Sequence, residues 1–252
     1  MSFILSAFGN IIAIHKDTEV IVRIYILGLT IGASMLSGCA SVNIDGHDGN
    51  ARFPEGEITI ALSPVDRTNP KLRYNTLSMG YVRTSGESEQ TVDTGDYVDI
   101  NNVRIYGPTT LNNDLKLGVG YLRFVRHMFI NQSFEWNWGA GFGYSNFNYT
   151  GTAGSQQLKF KDSALGVHGQ VGLAYYLTPR VALEGNIGGY VFSSDNDSEL
   201  ATGQIVFAVT PVDAIRLFAG YRRWDYYMTP NQGMSDIQYR FSGPTAGLTL
   251  NF

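Results

Sequence analysis

Gly243-Pro-Thr-Ala-Gly-Leu-Thr-Leu-Asn-Phe252, the last ten residues of the sequence, alternate between two kinds of side chain. One face collects Ala246, Leu248, Leu250 and Phe252, and the small or polar residues between them fall on the other face. A period of two residues predicts a β-strand whose faces meet different surroundings. The same pattern recurs from about residue 133 onwards. Segments of about ten residues with one apolar face are typical of the wall of a transmembrane β-barrel.

The composition fits one all-β domain. Of the 252 residues only 16% are charged and 13% are aromatic, so the chain leans towards the amphipathic rings found at membrane–water boundaries. The 29 glycines are too many for a helical protein and suit a curved sheet. A mean hydropathy of −0.07 excludes a bundle of membrane helices. With a net charge of −4 and no basic stripe, no nucleic acid is expected as a partner.

The first 38 residues are predicted to be a signal peptide. An apolar run over residues 24–36 follows Lys16 and Arg23, and it is too short to cross a bilayer comfortably as a helix. The run ends in Leu36-Ser37-Gly38-Cys39, which resembles the lipobox of bacterial lipoproteins and implies lipidation of Cys39. The alternatives are a non-lipoprotein signal cleaved nearby, or a start site upstream of the true one. Because Cys39 is the only cysteine, an intramolecular disulfide is excluded.

The remainder divides into a periplasmic tether over residues 39–71 and a barrel over residues 72–252. The tether is polar and rich in glycine and proline. The predicted fold is an antiparallel, up-and-down transmembrane β-barrel of eight strands. These strands are expected at residues 72–84, 115–126, 133–148, 163–177, 180–194, 200–210, 214–227 and 238–252.

A barrel of ten strands is the alternative, because two further segments also alternate. One is residues 57–63 within the tether, and the other is residues 97–106 within an acidic stretch between the first two strands. With eight strands, residues 85–114 form a long first outer loop. The tight turns near Pro179 and Pro211 are expected at the periplasmic rim, and the longer connections at the outer rim. Both ends of the barrel then lie at the periplasmic rim, close to an acylated Cys39 in the inner leaflet.

The sequence resembles the small outer-membrane barrels related to the OmpA transmembrane domain and OmpX. The residues that carry this resemblance are Gly118-Val-Gly-Tyr121, Gly139-Ala-Gly-Phe-Gly-Tyr144, Gly188-Gly-Tyr190, Gly220-Tyr221 and Leu248-Thr-Leu-Asn-Phe252. The resemblance implies a location in the outer membrane of a Gram-negative bacterium. It also implies that Phe252 is read as an assembly signal by the barrel assembly machinery.

The alternation assigns faces to the strand residues. The lipid-facing set is predicted to include Leu117, Val119 and Tyr121, the apolar residues of 134–144 and 165–173, and those of 181–191, 205–209 and 215–217. The lumen is predicted to hold a polar network of Lys116, Glu135, His168, Glu184, Arg216 and Arg222. Inside a narrow barrel these charges are expected to pair and to close the lumen to solutes.

No catalytic or metal site is predicted. Lipid A deacylase barrels carry a histidine and a serine two residues apart, whereas the residue two after His168 is Gln170, and no His-Asp-Ser set suggests the palmitoyltransferase class. The acidic segment 195–199 lacks the full pattern of a calcium loop and is interpreted as a solvated loop tip. No cofactor is expected.

The expected role is therefore structural or adhesive, exerted through the outer loops. Aromatic residues around Tyr144, Tyr149 and Trp224 are interpreted as a membrane girdle, with a surface for an extracellular ligand as the alternative. Expected partners are outer-membrane lipids and lipopolysaccharide, whose phosphates Arg222 and Arg223 are placed to contact. The alternative functions are a small pore and a lipid A-modifying enzyme.

Overall fold

The computed structural model describes residues 44–63, 73–100, 103–230 and 235–252. The expected signal peptide and Cys39 lie outside the described residues. The prediction of an all-β chain with a large, mostly antiparallel sheet is confirmed. The twelve described strands are β1 Ile44–Asp48, β2 Phe53–Ala61, β3 Arg73–Val92, β4 Tyr97–Ile100, β5 Val103–Tyr106, β6 Thr109–Asn131, β7 Phe134–Ala153, β8 Gln156–Thr178, β9 Val181–Ser193, β10 Asp197–Val212, β11 Ile215–Thr229 and β12 Ile237–Asn251.

The large sheet closes into a ring. Strands β3 and β6 to β12 follow one another in antiparallel pairs, and β2 joins the two ends. It pairs in parallel with β12, where Phe53 lies opposite Thr245, and antiparallel with β3, where Ile58 lies opposite Met79. Strand β1 continues the same seam in parallel with the upper part of β12. The described ring therefore has nine strand positions, with β1 and β2 sharing one of them.

The prediction of eight strands is wrong in its count, although all eight predicted segments are strands of the ring. The missing ninth position lies in residues 39–71, which were expected to form a tether. There the segment 57–63, the alternative strand, overlaps β2. The other alternative segment, 97–106, forms the separate two-stranded hairpin β4–β5. Gly49 lies between β1 and β2 and Pro54 lies near the start of β2, and these turn-forming residues hide the alternation of the seam strand.

The parallel seam separates the two ends of the ring. We call the end that carries the turns at 132–133, 179–180 and 213–214 the lower rim, and the opposite end the upper rim. Ile44 lies at the upper rim opposite Ile237, whereas Asn251 lies at the lower rim opposite Thr59. The predicted barrel of residues 72–252 does begin and end at one rim, since Arg73 lies opposite Met128 and Asn251 lies opposite Thr59, both at the lower rim. The additional position formed by β1 and β2 enters the ring from the upper rim, and the eight-strand prediction did not include it.

The strands extend further towards the upper rim than predicted. Residues 149–162, expected as an outer loop, are strand apart from a tight turn at residues 154–155, where Gly154 adopts a φ of 58°. The expected first outer loop, 85–114, is likewise mostly strand. Strand β8 has 23 residues, against the 9–11 or so that a transmembrane strand needs.

The inner and outer faces exchange polarity midway along the strands. In the lower half of the ring the exposed outward residues of β8 are apolar, from Leu165 to Leu177, while the buried His168 points inward. In the upper half the outward residues are polar, such as Lys161, and the buried inward residue Phe160 is apolar. The upper half therefore has the polarity of a water-soluble protein, and the lower half has the inverse.

The core of the upper half contains large aromatic side chains. Those that are almost fully buried there are Phe53, Phe147, Tyr149, Phe192, Trp224, Tyr226, Tyr239 and Phe241. Burial is the main cause that raises the pKa of Tyr239 to about 12, so its hydroxyl stays protonated at neutral pH. The interpretation of Tyr149 and Trp224 as a membrane girdle is wrong, because both side chains point into this core. Tyr144, the third residue of that interpretation, is exposed.

The hairpin β4–β5 completes this core. Its Val98, Ile100 and Ile105 belong to the same buried cluster. Two hydrogen bonds hold it: the Ser235 amide donates to the Asp99 carbonyl at 2.9 Å, and the Asp99 amide donates to the Ser235 hydroxyl at 3.1 Å. The hairpin is therefore part of the packed structure of the ring.

We expect Ile105→Val to lower the free energy of unfolding by about 0.5–1.5 kcal/mol, because it removes one buried methyl group. Val103→Ala in the same strand is the matched control, since Val103 is 39% exposed and should change stability by less. Urea unfolding of both variants measures the difference. Equal effects would mean that the hairpin does not pack into the core.

Candidate functional site: a charged network inside the ring

Two carboxylates of the seam strand organise the polar interior. Glu55 accepts a hydrogen bond from Arg222 Nη2 at 2.5 Å and one from the Tyr121 hydroxyl at 2.5 Å. The same hydroxyl lies 2.6 Å from Glu57 Oε2, which also pairs with Arg123. Strand β2 thus places two negative charges against two arginines, Arg123 of β6 and Arg222 of β11.

Both arginines are held by further partners. Arg222 Nε donates to Gln204 Oε1 at 2.9 Å, and Arg123 Nη1 donates to Gln170 Oε1 at 2.6 Å. The side chains of Arg222 and Glu55 are each only 6% exposed. A buried pair of this kind is costly to break, because removing one partner leaves the other charge desolvated and uncompensated.

A third arginine pair lies nearer the lower rim. Arg216 forms an ion pair with Glu184 of β9, and its Nε lies 3.3 Å from Glu184 Oε1. Its Nη1 donates to the Thr249 hydroxyl at 3.2 Å. The pair connects β9, β11 and β12 across the interior.

Glu135 is the centre of a separate cluster. The carboxylate is 2% exposed and accepts hydrogen bonds from the Tyr74 hydroxyl at 3.1 Å and the Tyr176 hydroxyl at 2.9 Å. His127 Nδ1 lies 2.6 Å from its other oxygen, and Nε2 lies 3.1 Å from the Thr76 hydroxyl. Hydroxyl, imidazole and carboxylate follow in the order used by hydrolases. However, Thr76 is only 6% exposed and the Tyr74 ring stacks on His127 at 4.3 Å, which is the environment of a packed interior cluster.

His168 stands apart from the charged pairs. Its ring stacks on Tyr190 with 4.1 Å between the ring centroids, and the side chain is 5% exposed. Within the described residues, Nδ1 has no hydrogen-bond partner. The residue fills the interior by ring packing.

The structure places four of the six residues predicted for the luminal network inside the ring with polar partners, in three separate groups. Glu135, Glu184, Arg216 and Arg222 point inward and have polar partners there, and His168 points inward among aromatic rings. Lys116 does not belong to the network. Its side chain is 65% exposed on the outer face, where Nζ lies 3.4 Å from the Asp114 carboxylate.

The same strand explains the error at Lys116. In β6 the apolar residues change face, because Leu117, Val119 and Tyr121 are buried inward whereas Leu122 and Phe124 are exposed outward. The prediction that Leu117, Val119 and Tyr121 face lipid is therefore wrong. Alternation identifies two faces, but it does not say which face is inside when the polarity inverts along one strand.

Sequence reasoning missed Glu55, Glu57, Tyr121 and Arg123. A signal for the two glutamates was present, because Glu55, Glu57 and Thr59 alternate with Gly56 and Ile58. The predicted tether concealed that signal. The misassigned face of β6 concealed the other two residues.

The network leaves little free space. The cavity between Glu55, Arg123, His168 and Arg222 has a volume of about 30 Å³. This volume accommodates a water molecule or two but no larger solute.

The remaining predicted residues are placed as follows. Phe252 lies at the lower rim with a 73% exposed side chain, and its amide donates to the Thr59 carbonyl at 2.9 Å. Arg222 is buried in the network and does not reach the surface. Arg223 is on the outer face, where Nε donates to Asp225 at 2.9 Å. Among the described residues there is no group of three or more potential metal ligands.

No family model, no curated protein and no solved structure matches this chain. Within the described part of the chain there is no helix long and apolar enough to cross a membrane.

Proposed function

We propose that this chain is an outer-membrane β-barrel of a Gram-negative bacterium. In this proposal the lower half lies in the bilayer and the upper half stands above the surface, where it has a structural or adhesive role. The observation that carries the proposal is the exchange of polarity between the two halves. A water-soluble ring has no reason to expose an apolar band around charged side chains, whereas a lipid-embedded one requires it.

The outward face of the lower half supports a lipid environment. From Leu165 to Leu177 of β8, no outward residue is charged. At about 3.3 Å per residue and a tilt of about 40°, this stretch spans roughly 30 Å along the ring axis, which matches the hydrocarbon thickness of a bilayer. The exposed apolar residues of the neighbouring strands at this level are Met79, Leu122, Phe124, Phe142, Leu183, Ile187, Val191, Ile205, Phe207, Leu217 and Leu248.

Aromatic residues lie at both edges of this apolar band. Tyr81, Tyr144 and Tyr221 are exposed at its upper edge, and Trp136 and Tyr175 are exposed towards its lower edge. Tyrosine and tryptophan prefer the headgroup layer, where the ring is apolar and its polar atom meets water. Two such levels are expected of a barrel that crosses one bilayer.

The closed interior favours a role for the surface of the protein. Buried ion pairs, and a cavity of only about 30 Å³ between them, occupy the interior at the level of Glu55 and Arg222. The polar outer face of the upper half and the hairpin β4–β5 are then the parts offered to an extracellular ligand. This arrangement does not favour the pore among the alternatives.

The parallel seam bears on the side of the membrane from which the chain enters the ring. Ile44 lies at the upper rim, which under this proposal is the surface side. The predicted anchor in the inner leaflet assumed that the chain enters the barrel from the periplasmic rim. Lipidation itself remains a prediction from the lipobox.

The proposal is tested on outer-membrane fractions compared with and without boiling, together with palmitate labelling of wild type and Cys39→Ala. We expect a heat-dependent shift in gel mobility for both proteins, because a closed sheet resists detergent until it is heated. The label is expected only in the wild type. A protein found in the soluble periplasmic fraction would contradict the barrel. A label retained in Cys39→Ala would contradict the lipidation site alone.

We also expect no steady single-channel conductance from the purified protein in planar bilayers, because the interior pairs occupy the lumen. Wild-type protein and the surface variant Arg223→Gln should both be silent at the same protein density. Stepwise, reproducible conductance in both would restore the pore as the function.

A further inference from the structure

A group of basic side chains lies on the outer face just above the apolar band. Arg83 of β3, Lys116 of β6 and Lys161 of β8 all point outward, and all are exposed. Lys116 and Lys161 both lie opposite Asn148 of β7. Two strand spacings therefore separate them, or about 10 Å. We call Arg83, Lys116 and Lys161 the basic patch.

Neutral hydrogen-bonding groups fill the space between these cations. Asn146 and Asn148 lie on the same face of β7, where the Asn148 side chain donates to Asn146 Oδ1 at 2.8 Å. The Tyr81 side chain extends upward along β3 and β6, so that its hydroxyl takes the place that a side chain at Gly118 would occupy. The patch thus joins charged, amide and hydroxyl groups to the aromatic upper edge of the band.

The basic patch differs from the other cations at this level. Arg223 and Arg240 share one carboxylate, Asp225, at 2.9 and 2.7 Å. Within the described residues, Arg83 and Lys161 have no carboxylate at salt-bridge distance, and Lys116 has only the exposed Asp114 at 3.4 Å. The positive charge of the patch is therefore largely left for an external anion.

We propose that the basic patch binds the phosphate groups of an outer-leaflet glycolipid. This inference rests on the proposed function, which puts the patch at the height of the headgroups. Arginine binds phosphate through a planar fork of donors, and lysine acts as a point charge. Cations about 10 Å apart suit a headgroup with more than one phosphate, and the asparagine and tyrosine groups between them suit sugar hydroxyls. A glycolipid supplies both, whereas a simple phospholipid supplies a single phosphate.

The test uses the full-length protein in detergent micelles and compares bisphosphorylated lipid A with the same lipid after removal of its phosphates. We expect the wild type to bind the phosphorylated lipid far more tightly. We expect Arg83→Gln/Lys116→Gln/Lys161→Gln to lose about 100-fold in affinity, since each basic residue near an anionic surface contributes about fivefold. Arg223→Gln/Arg240→Gln is the matched control and should change the affinity less than threefold.

Three binding results would overturn the inference. If the triple variant bound with wild-type affinity, the basic patch would not be the binding site. If the dephosphorylated lipid bound equally well, phosphate would not be the recognised group. If phosphatidylglycerol vesicles bound equally well, the ligand would not be a glycolipid.

Insertion of each protein into lipid vesicles is measured first by the heat-dependent mobility shift. Failure of the wild type to insert contradicts the proposed function and the inference together, whereas insertion with unchanged binding contradicts the inference alone.

Discussion

Replacement of Glu55 by alanine is expected to lower the free energy of unfolding by about 3–5 kcal/mol, because it leaves the Arg222 guanidinium buried without its carboxylate. Arg222 and Glu55 are equally inaccessible, at 6% exposure each, so bulk water does not reach the unpaired charge. The measurement is urea unfolding of the protein in lipid vesicles, followed by tryptophan fluorescence. Trp224 lies beside Arg222, with the guanidinium carbon 6.0 Å from the ring centroid, and reports on this region.

The second variant of this test is Glu55→Ala/Arg222→Met. Replacing a whole buried pair by apolar groups is often nearly neutral, so the double variant should recover most of the stability lost in Glu55→Ala. The result also decides whether β2 belongs to the ring. In a flexible tether Glu55 would be solvated, and both variants would then unfold at the wild-type urea concentration.

The second large effect is expected from Ile187→Arg. Ile187 is 65% exposed on β9 and lies opposite Val171, midway along the outward apolar stretch of β8. In water, arginine at such an exposed position is nearly neutral. At the middle of a bilayer it costs about 2–4 kcal/mol, because the charge must be taken out of water. Unfolding in lipid vesicles is therefore expected to occur at a clearly lower urea concentration.

Ser163→Arg provides the matched control, because Ser163 is an exposed outward residue of β8 that lies above the apolar band. Its stability should change by about 0.5 kcal/mol or less, as for most surface substitutions. Equal and small effects at positions 163 and 187 would mean that the band lies in water, and the outer-membrane proposal would then be wrong.

The sequence was sufficient to locate the eight main strands, because each combines a period of two with clear turns. It located the seam strand only in part, because residues 57–63 alternate and were the alternative strand. Gly49, Asn50 and Pro54 give the start of that segment the composition of a loop, and one of its two partners, β12, lies almost the whole chain away. The parallel pairing at such separation has no local signal of its own.

The interior network was predictable where the inside is polar throughout, as at Glu184 and Arg216. The prediction failed where the strands pass into the upper half, as at Lys116 and Tyr121. There the apolar face turns from outside to inside without any break in the alternation. A pattern of period two states which residues share a face, and only the surroundings decide which face is inside.

The parallel seam also has a consequence for how the protein folds. Phe53 and Thr245 can meet only after the intervening chain has been brought round, and closing a loop of about 190 residues costs roughly 5 kcal/mol of chain entropy. Pairing of such high contact order is slow, so closure is expected to follow assembly of the hairpin-linked strands. Until then β2, which pairs with its sequence neighbour β3, and β12 remain open edges, and unpaired edges are where chains of this kind associate with one another. The time that the β2–β12 ladder takes to form therefore decides how long the unfinished sheet is exposed to aggregation.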